Sequence, residues 1–478
     1  MRNVRFLHVL VLCLSAGLLL ANGKEAHAEL RAGFAAVDIT PPLDGKRPVY
    51  IAGYGMNRKA QGVHDPIMAR AAVLQDGQER IALVSVDLIG LQLPTVQRIR
   101  EKLDGFKYVM VASTHNHEGP DVIGIWGRSP FHRGVDDAYL DQVVAGVVEA
   151  VNKAAEAPVA VKAAYGTAED ETLLGDSRKP YSKDGVLRAV QLNDASTGKP
   201  AGLIVQWNCH PESLGSKNTQ LTADFVWATI AKLSEQHGCP VVLISGALGG
   251  LMAPPDDRIR DANGNLLKEG DFEYARVYGE EVAALTNQAL KGAEPIELTP
   301  FVVSTKPIVV PVTNSLYRLA RTAGVMKRDA RLWMGDPKVL GEMLTLENAH
   351  KPTGIETEVA YLRLGDLHIA CIPGELYPEL VYGKFQNPVE PNVDFPDAPL
   401  EPTVADILPG KRWMLFGLAN DEVGYIIPKR QWDKAEPFAY GKEGGQYGEI
   451  NSCSPDVAPI LMEALKRRVA EAQPQPAE

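Results

Sequence analysis

Strand-like and helix-like runs alternate between Ile81 and Leu290, and this alternation most narrows what the chain can become. Ile81–Asp87, Tyr108–Ala112, Leu203–Trp207 and Val241–Ile244 are short apolar runs of the kind buried strands show. Pro94–Leu103, Asp137–Ala155, Phe225–Gln236 and Tyr274–Leu290 are longer and have helical periodicity. That order specifies an α/β core. After residue 300 the pattern changes. Val302–Val312 reads as extended, and Thr357–Leu364 and His368–Ile372 flank Gly365-Asp366, a hairpin signal. The expectation is an α/β fold with a mixed central β-sheet flanked by helices. No linker rich in Ser, Gly or Pro divides the chain, so residues 29–470 are expected to form one large domain. Ala293-Glu294-Pro295 marks the alternative boundary, near residues 295–300.

The two ends stand outside this pattern. Arg2 and Arg5 precede an apolar run from Phe6 to Ala21, and Ala26-His27-Ala28 is a small-x-small cleavage site. Residues 1–28 therefore read as a secretory signal peptide, which implies an exported protein, periplasmic or secreted. No later stretch is long and apolar enough to span a membrane. Residues 471–478, rich in Pro, Gln and Glu, read as a disordered tail. The net charge of -11, with Lys and Arg scattered, argues against nucleic acid as a partner. Cys209, Cys239, Cys371 and Cys453 are spaced too widely for a disulfide framework or a zinc knuckle. Buried free thiols are the expectation for at least Cys209 and Cys371, which sit in apolar strands.

Several strands run into residues suited to chemistry. Tyr108–Ala112 leads to Thr114-His115-Asn116-His117-Glu118-Gly119-Pro120. In extended chain, residues i and i+2 point the same way, so both imidazoles can face one pocket. Leu203–Trp207 leads to Asn208-Cys209-His210-Pro211-Glu212, and His368–Ile372 to Pro373-Gly374-Glu375. Trp413–Phe416 leads to Asn420-Asp421-Glu422-Val423-Gly424-Tyr425. Ligands in α/β folds gather at strand carboxyl ends. Two or three His with one Glu is a donor set suited to catalytic zinc with a place left for water. Taken singly, each has a plainer reading: a hydrogen-bonded loop pair for His115 and His117, a structural His210 before Pro, a turn at Glu375, a core Tyr425.

In their order these motifs resemble the catalytic domain of the neutral ceramidase family. The resemblance opens at Ala32-Gly33 and Val37-Asp38-Ile39-Thr40-Pro41-Pro42 and continues through Gly53-Tyr54-Gly55 and Val84–Leu88. It then includes Thr114–His117, Asn208–Pro211, Thr222–Phe225, Pro373–Glu375 and Asn420–Tyr425. It implies a hydrolase of amide (ceramide-like N-acyl) bonds in lipid metabolism, with a small-molecule or lipid substrate. One Zn2+ would be held by His115, His210, Glu375 and Tyr425. His117 would serve as general acid/base or oxyanion donor. Arg178, in Ser177-Arg178-Lys179-Pro180, resembles a substrate-contact Arg, although the family's preceding Asn is absent. Tyr447 resembles a late active-site Tyr.

The chain departs from that family in three places. Gly249-Gly250-Leu251-Met252-Ala253-Pro254 stands where the family has Gly-Asp-x-Ser-Pro, so Gly250 replaces the acid and Met252 the Ser. Met offers neither a nucleophile nor a strong donor, which leaves a zinc–water route open and closes a serine route. Over these 478 residues no room is expected for the family's C-terminal immunoglobulin-like domain. Glu118 replaces a small residue; it either orients an imidazole or forms a salt bridge. Gly246–Gly250 reads as a tight turn or as a backbone-amide cradle. A zinc-dependent ester, lactone or sugar-derivative hydrolase and a non-catalytic binding protein remain as alternative readings.

Overall fold

In the strand Thr353–Leu364, Ala360, Leu362 and Leu364 join one apolar core while Val359 and Tyr361 join another. Glu79–Val86 behaves the same way, with Ile81 and Leu83 turned inward and Ala82, Val84 and Val86 turned toward the helix Asp137–Glu156. Strands apolar on both faces must be covered on both faces. The computed structural model, which describes residues 29–345 and 347–473, accordingly shows four layers. Helices cover a nine-stranded mixed sheet, that sheet packs on a five-stranded mixed sheet, and the helix Val457–Glu471 covers the far side. The expected signal peptide, residues 1–28, and residues 474–478 of the expected tail lie outside the described residues. The last helix reaches Glu471, one residue into that tail. Among the described residues no helix is long and apolar enough to cross a membrane.

The large sheet runs in the order Val241–Ser245, Pro200–Trp207, Val186–Asp194, Val159–Glu169, Arg31–Asp38, Met68–Asp76, Glu79–Val86, Tyr108–Ser113. Its centre is weakly stitched, with only Arg31 and Ala32 pairing to Val159–Glu169, and it bends there. The bend brings its two ends together. Ser85 Oγ donates to Leu243 O at 2.6 Å, and Ser245 Oγ to Thr114 O at 2.8 Å. The carboxyl ends of Tyr108–Ser113, Pro200–Trp207 and Val241–Ser245 thereby converge.

The second sheet runs Phe301–Pro311, Thr353–Leu364, Leu367–Cys371, Trp413–Phe416, with Arg331–Leu332 beside Thr353. Thr353–Leu364 and Leu367–Cys371 form the expected antiparallel hairpin around Gly365. The mixed, helix-flanked sheet foreseen from the sequence is thus present twice. The break near residues 295–300 is the crossover between them. Glu294–Ile296 is the last strand of the first sheet, Phe301–Pro311 opens the second, and Ile296, Leu298 and Phe301 all enter the core that the sheets share. Each buried Leu, Ile or Phe there stabilises by about 1.5–3 kcal/mol. Polar ties reinforce the contact: Arg100 grips Glu358 with two bonds of 3.0 and 2.7 Å, and Tyr108 Oη donates to Glu358 at 2.7 Å. Cys209, Cys239, Cys371 and Cys453 are all free and buried.

Candidate metal centre

The Thr-His-Asn-His segment leaves its strand through a forced turn. His115 has φ of 66°, in the left-handed region that a non-glycine residue seldom enters. Flanking bonds hold it there. Thr114 N–H donates to Val86 O at 2.9 Å and Asn116 N–H to Leu88 O at 3.1 Å. The Asn116 amide donates to Asp87 O at 3.1 Å and Thr222 O at 2.7 Å, while its carbonyl accepts Glu118 N–H at 3.0 Å. His117 N–H then reaches Pro211 O at 3.0 Å, which ties this segment to the one carrying His210.

Three imidazoles meet as a result. One nitrogen from each of His115, His117 and His210 lies within 4.8 Å of the others, and all three rings are buried. His115 Nδ1 donates to Ile89 O at 2.6 Å and His210 Nδ1 to Met252 O at 2.8 Å. Those backbone acceptors fix the tautomers and aim both Nε2 atoms inward, as ligating histidines require. Glu375 Oε2 lies where they point, 3.3 Å from His115 Nε2 and 3.1 Å from His210 Nε2. The second sheet supplies it. Glu375–Leu376 pairs in parallel with Tyr425–Ile426, and Glu375 and Tyr425 are register partners. Tyr425 is buried in the same cavity wall. Two anchored imidazoles, a carboxylate, a phenol and a third imidazole whose ring nitrogens have no hydrogen-bond partner make a donor set that fits a divalent metal such as zinc.

The electrostatics agree. Burial opposes ionisation of Glu375, but His115 and His210 outweigh it and hold the carboxyl at about 2. Burial, and then the neighbouring His115, His210 and Arg58, push the His117 imidazole well below its ordinary range. Burial raises Glu212, whose Oε2 lies 3.5 Å from His117 Nδ1, to about 7. Burial and then Glu375 raise Glu422, another cavity residue, well above the carboxylate range.

The structure brings His115, His117, His210, Glu375 and Tyr425 together, with Tyr447 at the mouth, its ring 6.2 Å from that of Tyr425 and half exposed. It does not bring Arg178. That side chain is buried away from the cavity lining and committed to Glu449 at 2.6 Å, Lys179 O and Gln431 O at 3.0 Å, and the Tyr377 face. Glu118 forms the salt bridge and touches no imidazole: it accepts from Arg58 at 2.9 Å, and Arg58 also donates to Ala52 O and His117 O. Met252 contributes its backbone oxygen to His210, while its side chain lies in the core under the outer helices. Gly246–Gly250 is a tight packing turn, with Gly249 N–H on Leu376 O at 2.9 Å, and it stays outside the cavity wall. The Asp of Thr222–Phe225 caps the helix Phe225–His237, and Thr222 and Asp65 bond to each other.

Four side chains at the site received no role in the sequence reading. Tyr54 stands edge-on to His117 at 5.1 Å between ring centroids and donates to Glu212 O at 2.9 Å. Glu212 itself is the second; its place two residues after His210 was the available signal. Arg318 and Arg321 also line the cavity, on a helix that no motif marked. The cavity measures about 260 Å3, and Ile89, Ile123, Trp126, Met326 and Ile355 form its apolar walls.

With this geometry in hand, the likenesses to other proteins take on meaning. Residues 30–238 match the family described as neutral/alkaline non-lysosomal ceramidase, N-terminal. The crystal structure of neutral ceramidase from Pseudomonas aeruginosa superposes with a TM-score of 0.67 at 17% identity, covering 94% of this chain and 76% of that one. A structure titled as a ceramidase complexed with C2 gives a TM-score of 0.65 at 16% identity, covering 92% and 75%. No curated protein matches the sequence. Over residues 30–238 the chain carries the sequence pattern of the neutral/alkaline non-lysosomal ceramidase N-terminal family, and over nearly its whole described length it has the neutral ceramidase fold.

Proposed function

We propose that the protein is an exported, zinc-dependent hydrolase of an N-acyl amide bond, with a small-molecule or lipid substrate. The observation that carries this reading is the convergence of His115 Nε2 and His210 Nε2 on Glu375 Oε2, each imidazole anchored through Nδ1 to a backbone carbonyl. His115, His210, Glu375 and Tyr425 would hold the metal. When bound, zinc supplies a Lewis acid that polarises a carbonyl and acidifies a water. His117 is neutral at pH 7 because its ordinary pKa is depressed, and an unpartnered ring nitrogen is ready to take a proton. It accepts the proton of the attacking water as the water oxygen bonds to the carbonyl carbon. The carbon–nitrogen bond then breaks, and the amine leaves with the proton that His117 had taken. Tyr54 and Glu212 hold the ring in place. No step needs a hydroxyl at residue 252. Export rests on the sequence of residues 1–28 and is tested by finding Glu29 as the first residue of the secreted protein.

A second assignment within the same site has its own support: the mutual approach of all three imidazoles makes His117 a candidate third histidine ligand. Metal analysis separates the two. The purified protein should hold about one zinc per chain, as a buried donor set of this kind does. His115→Ala and His210→Ala should lose it. His117→Ala should keep the metal and lose activity by about 100-fold or more, the scale of a positioned acid/base. Loss of zinc from His117→Ala would move that residue to the ligand set, and a wild-type protein without zinc would end the reading altogether. Assays on amides beside esters and lactones decide the bond type, which the buried Met252 side chain leaves open.

A further inference from the structure

We infer that the substrate of this site carries an anionic group, and that Arg318 and Arg321 bind it. Both residues lie on the helix Ser315–Thr322, three apart and so on one face, and both line the cavity that holds His115, His117 and Glu375. The other cations of this stretch are spoken for. Lys327 pairs with Asp137 at 2.8 Å, Arg328 with Asp421, and Arg331 with Glu356 at 2.9 Å. Among the described residues neither Arg318 nor Arg321 has an ion-pair partner. Arg318 has one bond, from Nη2 to Ala349 O at 3.3 Å. Arg321 Nε is buried with no acceptor at all.

Two carboxyl groups line the cavity with them. Glu375 faces His115 and His210, and Glu422 Oε1 accepts Gly424 N–H at 2.6 Å while its Oε2 has no partner; neither is paired with Arg318 or Arg321. A chain with a net charge of -11 has thus placed two guanidinium groups without an ion-pair partner on the wall of the cavity that holds the histidines. A neutral ceramide-like amide offers them hydrogen-bond acceptors but no charge to pair with. A carboxylate, sulfonate or phosphate matches the guanidinium fork with paired, charge-assisted hydrogen bonds. The apolar residues Ile123, Trp126 and Ile355 in the same wall suit a hydrocarbon segment joining that anion to the amide. At about 260 Å3, the cavity lies below the usual range for drug-sized ligands, which favours a single short chain.

This inference rests on the hydrolase reading for its assay but not for its binding measurement. Three amides serve as probes: neutral N-octanoylethanolamine, N-octanoyltaurine with the anion on the amine side, and the monoethanolamide of octanedioic acid with the anion on the acyl side. The zinc-loaded wild type should favour one anionic amide over the neutral one by about tenfold or more in kcat/KM. In Arg318→Gln/Arg321→Gln that preference should collapse; because it is a ratio within one protein, a general loss of activity does not imitate it. If no amide is cleaved, the hydrolase reading fails alone. Calorimetry with N-octanoyltaurine against N-octanoylethanolamine then reads the same preference in wild type and variant. Equal handling of neutral and anionic probes by the wild type, or a preference that survives the double substitution, overturns the inference.

Discussion

A Cβ at residue 53 would overlap the His117 ring, and Gly53 has φ of 97°, where side chains are strained in any case. The ring is therefore held between the bare Gly53 backbone, the edge of Tyr54 and the other two imidazoles. Gly53→Ala should leave zinc content near wild type while lowering kcat by about 100-fold, since a shift of an ångström in a reacting group costs that much. Steady-state kinetics beside metal analysis checks both halves. Unchanged kcat would mean that the ring is free to move and has no fixed catalytic place. At this scale the sequence was informative where chemistry is concentrated in one segment. The His-x-His pair, His210 and Glu375 stood out together because each follows an apolar run and because their order resembles that of a known family. Arg178 was placed at the site only by resemblance to a substrate-contact Arg; a short motif does not reveal its partner, and Glu449, 271 positions away, takes it. Arg318 and Arg321 were silent for the complementary reason: what marks them is the lack of a partner, and only the folded chain shows that.

The loop after Pro120 is shaped by one carboxylate. Asp121 accepts Ile123 N–H at 2.9 Å, Gly124 N–H at 2.7 Å and Trp126 N–H at 3.1 Å, and so folds Ile123 and Trp126 into the cavity wall. Burial nevertheless outweighs those bonds and raises its pKa to about 6. A carboxyl whose folded pKa exceeds its unfolded one favours folding fully below the unfolded value, near 4, and that contribution disappears as pH rises through about 6. A shift of two units corresponds to about 3 kcal/mol. The melting temperature of Asp121→Asn should therefore be lower overall, for want of acceptors, but should vary less than that of wild type between pH 4 and 7. Parallel curves would show that Asp121 does not titrate in this window. Element identity was largely legible at this scale. The helices and strands foreseen between Ile81 and Leu290 are present with ends shifted by a few residues, because period and length distinguish them. The irregular loop around Asp121 carries no period and could not be foreseen.

The two sheets share one apolar core, so neither half of the chain has a complete interior. Residues 29–298 alone would expose Ile81, Leu83, Met110 and Ile244, which now face Leu362, Ile369 and Phe416. They would also lose the acceptors at Glu358 and Asp421, on which Arg100 and the Leu93 N–H depend. A fragment ending there should fail to give a cooperative unfolding transition, whereas the intact chain should show one; circular dichroism in urea distinguishes them. A cooperatively folded fragment would make residues 295–300 a true domain boundary. The doubling of the sheet was the main architectural fact hidden in the sequence. A strand apolar on both faces announces that both faces are covered, but not whether helix or sheet covers them.

The segment Gly417–Asp421 lies along the outer side of Tyr108–Ser113. Asn420 N–H donates to Val111 O at 2.7 Å, Asn420 Oδ1 accepts Val111 N–H at 3.0 Å, and Ala419 bridges to Ala112. An apolar strand at the margin of a sheet is otherwise a template on which a second chain can add and aggregate. The backbone that carries Tyr425 toward the histidines is also the cover on that margin. One segment thus both builds the wall of the candidate metal site and closes the sheet margin to a second chain.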